Sequence, residues 1–177
     1  NHMGYGVIGV AVAALTLDPD LRAVALNGAT LQMVSHGLLT GLLFAMAGLT
    51  IHNVGERDLR KLGGLARQMP AVAVVFSIAG LGSLGLPTTS GSAAEFITFA
   101  GAFSSTVVNG APVFTILAVF GVVLGAGYIL WLIQRVFYGP VKEEYNAVKD
   151  ADGLEKVYMF ALVALIMLVG IYPAILT

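Results

Sequence analysis

Apolar residues run almost without interruption along most of this chain, and polar residues gather in a few short connectors. A helix rising about 1.5 Å per residue needs about 20 predominantly apolar residues to cross the hydrocarbon core of a bilayer. Runs at roughly 24–51, 71–104, 111–138 and 155–175 meet that length, and a shorter one lies at roughly 3–17. Between them stand "DPD" at 18–20, the charged "HNVGERDLRKLGGLARQMP" at 52–70, "NGAP" at 109–112 and "GPVKEEYNAVKDADG" at 139–153, all rich in helix-breaking or polar residues. The pattern predicts an all-α integral membrane helix bundle. The shortness of the first run predicts that the chain begins partway along a helix, as a piece of a longer protein.

The run 71–104 is long for one crossing and short for two. Loops on the cytoplasmic side are enriched in Lys and Arg, so charge decides between the readings. As a single pass, Arg57, Arg60, Lys61, Arg67, Arg135, Lys142, Lys149 and Lys156 share one side, and only Arg22 lies on the other. As a hairpin, the basic residues divide almost evenly. One pass is therefore predicted, with the chain start in the cytoplasm and Thr177 outside. A single pass of this length must be interrupted. Pro87 and the "TTSG" that follows, including Ser90 and Gly91, place the break near 87–91. Non-helical backbone at membrane depth survives only where it is buried in protein or lines a wet cavity, so the break points to an ion path. "GLLTG" at 37–41 and "GVVLG" at 121–125 predict close helix packing through small residues.

Composition agrees. The chain is 58% hydrophobic and 11% charged, with mean hydropathy +0.89, against about a quarter charged residues in soluble domains. A formal net charge of −1 gives no pull towards nucleic acid. The absence of cysteine removes disulfides, thiolate metal sites and cysteine-held iron–sulfur clusters, so any electron transfer belongs on another chain.

The acids narrow the candidate chemistry. Asp18, Asp20, Glu56, Asp58, Glu143, Glu144, Asp150, Asp152 and Glu155 fall in connectors or at helix edges, and Glu95 alone lies within a span. Ionised in hydrocarbon it would cost several kcal/mol, so it must be neutral, paired or hydrated. Two roles remain open: a proton carrier, the default for an intramembrane acid, or a protonated hydrogen-bonding link between helices. His36 is the second candidate for proton transfer, with Gln32 and Thr40 one turn to either side on the same face. It too could be a core histidine fixed by one hydrogen bond. His2 and His52, at the chain start and a helix edge, are weaker. Gly80, Gly82 and Gly85 match GxGxxG, but inside a membrane span and without the strand a dinucleotide site requires. Tyr128 and Trp131 read as packing residues, with Tyr128 retained as a support to the path. Arg135 and Tyr138 read as interface anchors.

Four segments, "HMGY", "LQMVSHGLL", "ERDLRKLGGLARQMP" and "LGLPTTSGSAAEF", occur here in an order that resembles the C-terminal part of the subunit M type of proton-translocating NADH–quinone oxidoreductase, complex I. The mitochondrial subunit 4 type corresponds to it, as does the D-type subunit of chloroplasts. The resemblance implies an antiporter-like bundle with one discontinuous transmembrane helix and a midplane axis of buried charged residues. By position, Glu95 matches the terminal acid of that axis. His36 matches the histidine of the "QM..HG" helix, and His2 falls on "SHMG". Thr88, Ser92 and Ala94 stand where the family usually has Gly, an aromatic residue and Gly. The implied function is proton pumping, driven by electron transfer from NADH or ferredoxin to quinone. Flavin, iron–sulfur clusters and quinone would lie on partner subunits, and this chain would hold no cofactor and no metal. The implied partners are other membrane subunits of complex I, including neighbouring antiporter-like ones, and the lipid bilayer. The implied location is a bacterial inner membrane, or else an organelle inner or thylakoid membrane. Mrp-type cation/proton antiporters and membrane-bound hydrogenases use related subunits and form the alternative. In several paralogues, including the Mrp D subunit and the other two antiporter-like subunits of complex I, lysine stands at the Glu95 position, so glutamate favours the subunit M type. A passive membrane scaffold is the remaining alternative.

Overall fold

The computed structural model describes residues 2–105 and 110–176. Among the described residues the chain is helical with no strand, and six helices run α1 His2–Leu15, α2 Pro19–Val54, α3 Pro70–Gly82, α4 Ser90–Phe103, α5 Ala111–Val136 and α6 Gly153–Ile171. Helices α2, α5 and α6 are each long and apolar enough to span a bilayer. Helices α3 and α4, at 13 and 14 residues, are each too short and follow one another as the two halves of a discontinuous helix.

Local chemistry sets the ends. Asp18 caps α2 by accepting from Asp20 N and Leu21 N, with Pro19 in the first turn. Gly55, at φ 77, closes its far end. Helix α6 starts at Gly153, slightly ahead of the predicted 155, because Asp152 and Glu155 form a reciprocal capping box. It ends at Ile171 ahead of Pro173, short of the predicted 175. Of the "NGAP" connector, Asn109 lies outside the described residues, as does Thr177.

The break in the discontinuous helix occupies 83–89 rather than 87–91. Pro87 is not what ends α3. Gly85 does so in the left-handed region, at φ 72, with Leu86 N–H donating to Leu81 O at 3.1 Å and Gly85 N–H to Gly82 O at 3.2 Å. That pair of bonds closes a helix C-terminus around a glycine, and Pro87 then prevents the helix from resuming at once. Ser90 and Gly91, expected in the break, form the first turn of α4.

The two basic loops meet at one end of the bundle. Ala66 N–H donates to Phe137 O at 3.0 Å, Asn53 Nδ2 to Lys149 O at 3.1 Å, and Tyr145 Oη to Lys61 O at 3.1 Å. Gly64, at φ 65, lets residues 140–142 lie directly on the 60s loop, since a Cβ there would fall 2.5 Å from Val141 Cα. Asp150 accepts from Ala71 N at 2.9 Å and Val72 N at 3.3 Å. It thereby caps α3 from a distant loop, where Met69 at the cap position supplies no side-chain bond.

Inside a bilayer, lipid is as apolar as leucine, so helices associate through close packing and hydrogen bonds rather than expulsion of water. The core accordingly interlocks Leu39, Leu42 and Met46 of α2, Val72, Val75 and Phe76 of α3, Ile133 of α5, and Met159 and Ile166 of α6. The Phe76 and Phe137 rings stand 5.1 Å apart. Small residues make the tight crossings, though not at the predicted 37–41 spacing. Gly37 and Gly41 face open space. Close approaches here include Gly28 against the Thr98 backbone and Gly9 against Ala25 O, where an added Cβ would lie 2.7 and 2.9 Å away. Those contacts draw α1, α2 and α4 together around the polar residues described next.

Candidate functional site

Glu95 lies on the second turn of α4 and is 7% exposed. Side chains on a helix lean towards its N-terminus, so the carboxyl reaches back over the break. A Cβ at Gly85 would fall 2.7 Å from Glu95 Oε2, so that oxygen rests against the bare glycine backbone. Glu95 Oε1 faces the other way, 3.7 Å from His2 Nδ1. Glu95 therefore bridges the α3–α4 break and α1.

His2 is the hub of the cluster. Its Nδ1 is 3.4 Å from Gln32 Nε2, and its ring stacks on His36 with centroids 5.8 Å apart and planes 27° apart. Tyr5, one turn along α1, packs against His2 on one side and edge-on to Phe99 of α4 on the other. The sequence pattern ranked His2 low because of its place at the chain start; the structure sets it between Gln32, His36 and Glu95. Gln32 is fully buried and His36 partly so. Thr40, on the same face of α2, turns its hydroxyl back to His36 O, one helical turn away, so it is satisfied within its own helix rather than by the cluster.

Ser90 of α4 bonds Ser35 of α2 through their hydroxyls at 2.8 Å, both side chains fully buried. This link holds the restart of the broken helix to the histidine-bearing helix. Ser35 had no sequence signal, since one serine in an apolar run has no spacing to betray it. Gly91 lies against Gly82 O and Gly170 of α6 against the Thr88–Thr89 backbone, so the break is clasped on two sides. Pro87 sits in the break but makes no polar contact with the cluster. Tyr128 is 56% exposed on α5 and, among the described residues, has no hydrogen bond to the cluster, because α5 packs its Ile129 and Ile133 face inward instead. His52 stays at the end of α2, away from the others.

Two buried oxygens of the cluster, Glu95 Oε1 and Gln32 Oε1, have no hydrogen-bond partner among the described residues. Buried acceptors are otherwise almost always satisfied, so each exception calls for an explanation. Among the described residues no group of three or more His, Cys, Asp or Glu side chains is arranged to hold a metal. What the arrangement offers is a carboxyl and two imidazoles in series, linked to a backbone break within a membrane helix.

A multi-helix bundle with a broken span and a buried acid at its restart defines an antiporter-like integral membrane protein. The chain belongs to the family described as "NADH:quinone oxidoreductase/Mrp antiporter, TM", which matches residues 1–125. It is 37% identical over 178 residues to NADH-quinone oxidoreductase subunit M of Rhodobacter capsulatus, covering 99% of this chain and 32% of that protein. It is 33% identical over 174 residues to F(420)H(2) dehydrogenase subunit M of Methanosarcina mazei, covering 98% of this chain and 32% of that one. Its fold matches a chain of respiratory complex I from Thermus thermophilus with bound NADH, at TM-score 0.84 and 28% identity, over 99% of this chain and 34% of that one. The chain thus spans about a third of the length of the curated relatives it matches.

Proposed function

We propose that this chain is a proton-translocating membrane subunit, of the subunit M type, in a complex I enzyme. Electron transfer from NADH or ferredoxin to quinone takes place on partner subunits, which carry the flavin, iron–sulfur clusters and quinone. This chain contributes no redox centre. Its part is to move protons in a bacterial inner membrane, next to other antiporter-like subunits.

The observation that carries this reading is Glu95 Oε1 at 3.7 Å from His2 Nδ1, with the His2 ring stacked on His36. Passing a proton from an imidazolium to the carboxylate turns a buried ion pair into two neutral groups, so the site changes state without importing a counter-ion. At 3.7 Å the transfer needs a bridging water or a closing shift of about 1 Å. Because residues 83–89 interrupt the helical ladder, such a shift need not bend an intact helix. Gly85 leaves room for the carboxyl to swing, and the Ser35–Ser90 bond keeps the helix restart in register meanwhile. Charge state at Glu95 and geometry at the break are thus coupled, which is how a neighbouring subunit would drive or sense protonation here.

The family description also names Mrp antiporters, so a cation/proton antiporter subunit, or one of a membrane-bound hydrogenase, is the second reading. Affinity purification of the native complex separates them. Co-purifying flavin and iron–sulfur subunits, with proton uptake dependent on electron transfer to quinone, is the expected result. A complex of antiporter subunits alone would replace the first reading with the antiporter one.

A further inference from the structure

At the loop end of the bundle, far along the chain from Glu95, a cavity of about 420 Å³ opens between the end of α5 and the packed loops. Arg60, Arg135, Lys142, Gln134 and Trp131 line it, and no acid does. Arg60 is engaged, its guanidinium held by Asp58 at 3.0 Å. Neither of the other two cations is in a close ion pair among the described residues, although Asp58, which holds Arg60, also feels the charge of Arg135. Both are nonetheless fixed in place by backbone oxygens. Arg135 Nε donates to Leu59 O at 3.2 Å and the guanidinium lies 5.4 Å over the Trp131 ring. The Lys142 ammonium donates to Lys61 O. Each of these contacts uses one donor and leaves others free to face the cavity. The walls are firm as well, since a Cβ on Gly63 would fall 2.8 Å from Pro140 O and one on Gly64 closer still to Val141.

Below this basic mouth, Trp131, Tyr128, Leu124 and Phe120 are all well exposed on α5. They lie four, seven, eleven and fifteen residues before Arg135, so all share its helix face. From Arg135 to Leu124 the stripe runs about 16 Å, close to the depth of one leaflet's hydrocarbon. Two cations without a close ion-pair partner, an indole beside them and an apolar track of leaflet length form one continuous surface. We propose that this surface is a binding site for an anionic phospholipid, its phosphate held by Arg135 and Lys142 and an acyl chain lying along the Trp131–Phe120 face. Basic pockets between membrane helices recognise acidic headgroups in this way. An acidic loop of a partner protein would answer the cations but would leave the leaflet-length stripe unexplained.

The test uses the native membrane complex carrying this chain, reconstituted in phosphatidylcholine nanodiscs with a trace of a photoreactive phosphatidylglycerol. After irradiation, peptide mapping should place the label on residues 120–142. Unlabelled phosphatidylglycerol should compete, whereas inorganic phosphate and extra phosphatidylcholine should not. The double variant Arg135→Gln/Lys142→Gln should lose at least about fivefold of the labelling, while Lys156→Gln, a basic residue outside the cavity, keeps it. Arg135→Lys/Lys142→Arg preserves both charges and should retain most labelling, which separates lost binding from lost folding. Equal labelling by a photoreactive phosphatidylcholine, full competition by phosphate alone, or undiminished labelling in the charge-removing variant would overturn the proposal. So would absence of label from 120–142 in the wild type, the outcome expected if a partner's acidic segment fills the cavity.

Discussion

His2 and Glu95 sit at opposite sides of a helix interface, on α1 and α4, and their Nδ1 and Oε1 atoms stand 3.7 Å apart inside the bundle. Neither has another ion-pair partner among the described residues. Residues that act as a unit give non-additive losses when removed. His2→Ala and Glu95→Gln should each lower proton pumping strongly, and the double variant should be no worse than Glu95→Gln alone. Proton uptake by vesicles of the four proteins completes the cycle. Losses that multiply would mean the two side chains work independently.

Thr88 is the one non-glycine residue with positive φ among the described residues, at φ 78. For a β-branched side chain that conformation costs about 1–2 kcal/mol, and a glycine would avoid it at a smaller cost in chain entropy. Thr88→Gly should therefore raise the melting temperature of the assembled complex slightly, equivalent to about 0.5–1 kcal/mol. Gly85→Ala should do the opposite. It would combine φ 72 with a Cβ 2.7 Å from Glu95 Oε2, so it should lower both stability and pumping. Thermal melts followed by the release of this chain from the complex read the two stabilities, and proton uptake by vesicles reads the pumping.

Asp150 caps α3 from another loop by accepting from Ala71 N and Val72 N. Asp150→Ala should cost about 1 kcal/mol, and Asp150→Asn, which keeps an acceptor, less. Because α3 leads directly into the break, the same variant should speed amide exchange in α3 while sparing α2. Exchange that rises evenly through the bundle would show the cap to be of no local importance.

The bundle also makes a prediction of sidedness. Gln68 and Asn146 touch across the two loops, Nε2 to Oδ1 at 3.2 Å, whereas Asp20 opens α2 at its other end. The chain has no cysteine, so introduced ones label cleanly. In sealed vesicles an impermeant maleimide should reach Gln68→Cys and Asn146→Cys from one side and Asp20→Cys only from the other. Labelling of Gln68→Cys and Asn146→Cys from opposite sides would contradict the single discontinuous span.

Particular residues show how far the sequence alone defines the fold and the site. The spans are readable because bilayer thickness imposes a length, and the broken helix because the basic residues refuse an even division. Glu95 stands out since an intramembrane acid has no bland background to hide in. The cause of the break is less legible: Pro87 is conspicuous, but Gly85 ends α3, and a left-handed glycine is invisible until the hydrogen bonds that close around it are seen. His2 is underrated by its sequence and Ser35 missed for one reason. Their meaning lies in what α1 and α4 bring beside them, and no periodicity within a single helix encodes a neighbour. The small-residue spacing at Gly37 and Gly41 misleads likewise, because spacing marks a face that can pack closely without naming the face that does.

The central claim is that the Glu95 carboxyl carries protons rather than only tying helices together. Glu95→Gln keeps the side chain's size and hydrogen bonding but cannot ionise, and Glu95→Asp keeps the carboxyl on a shorter stem. The measurement is proton uptake by vesicles alongside quinone reduction, with assembly of the complex checked on a gel. In a fully assembled complex, Glu95→Gln should reduce pumping at least about tenfold, the scale of losing a positioned acid–base group, with Glu95→Asp intermediate. Normal pumping by an assembled Glu95→Gln complex would contradict the account and leave the carboxyl as a structural link.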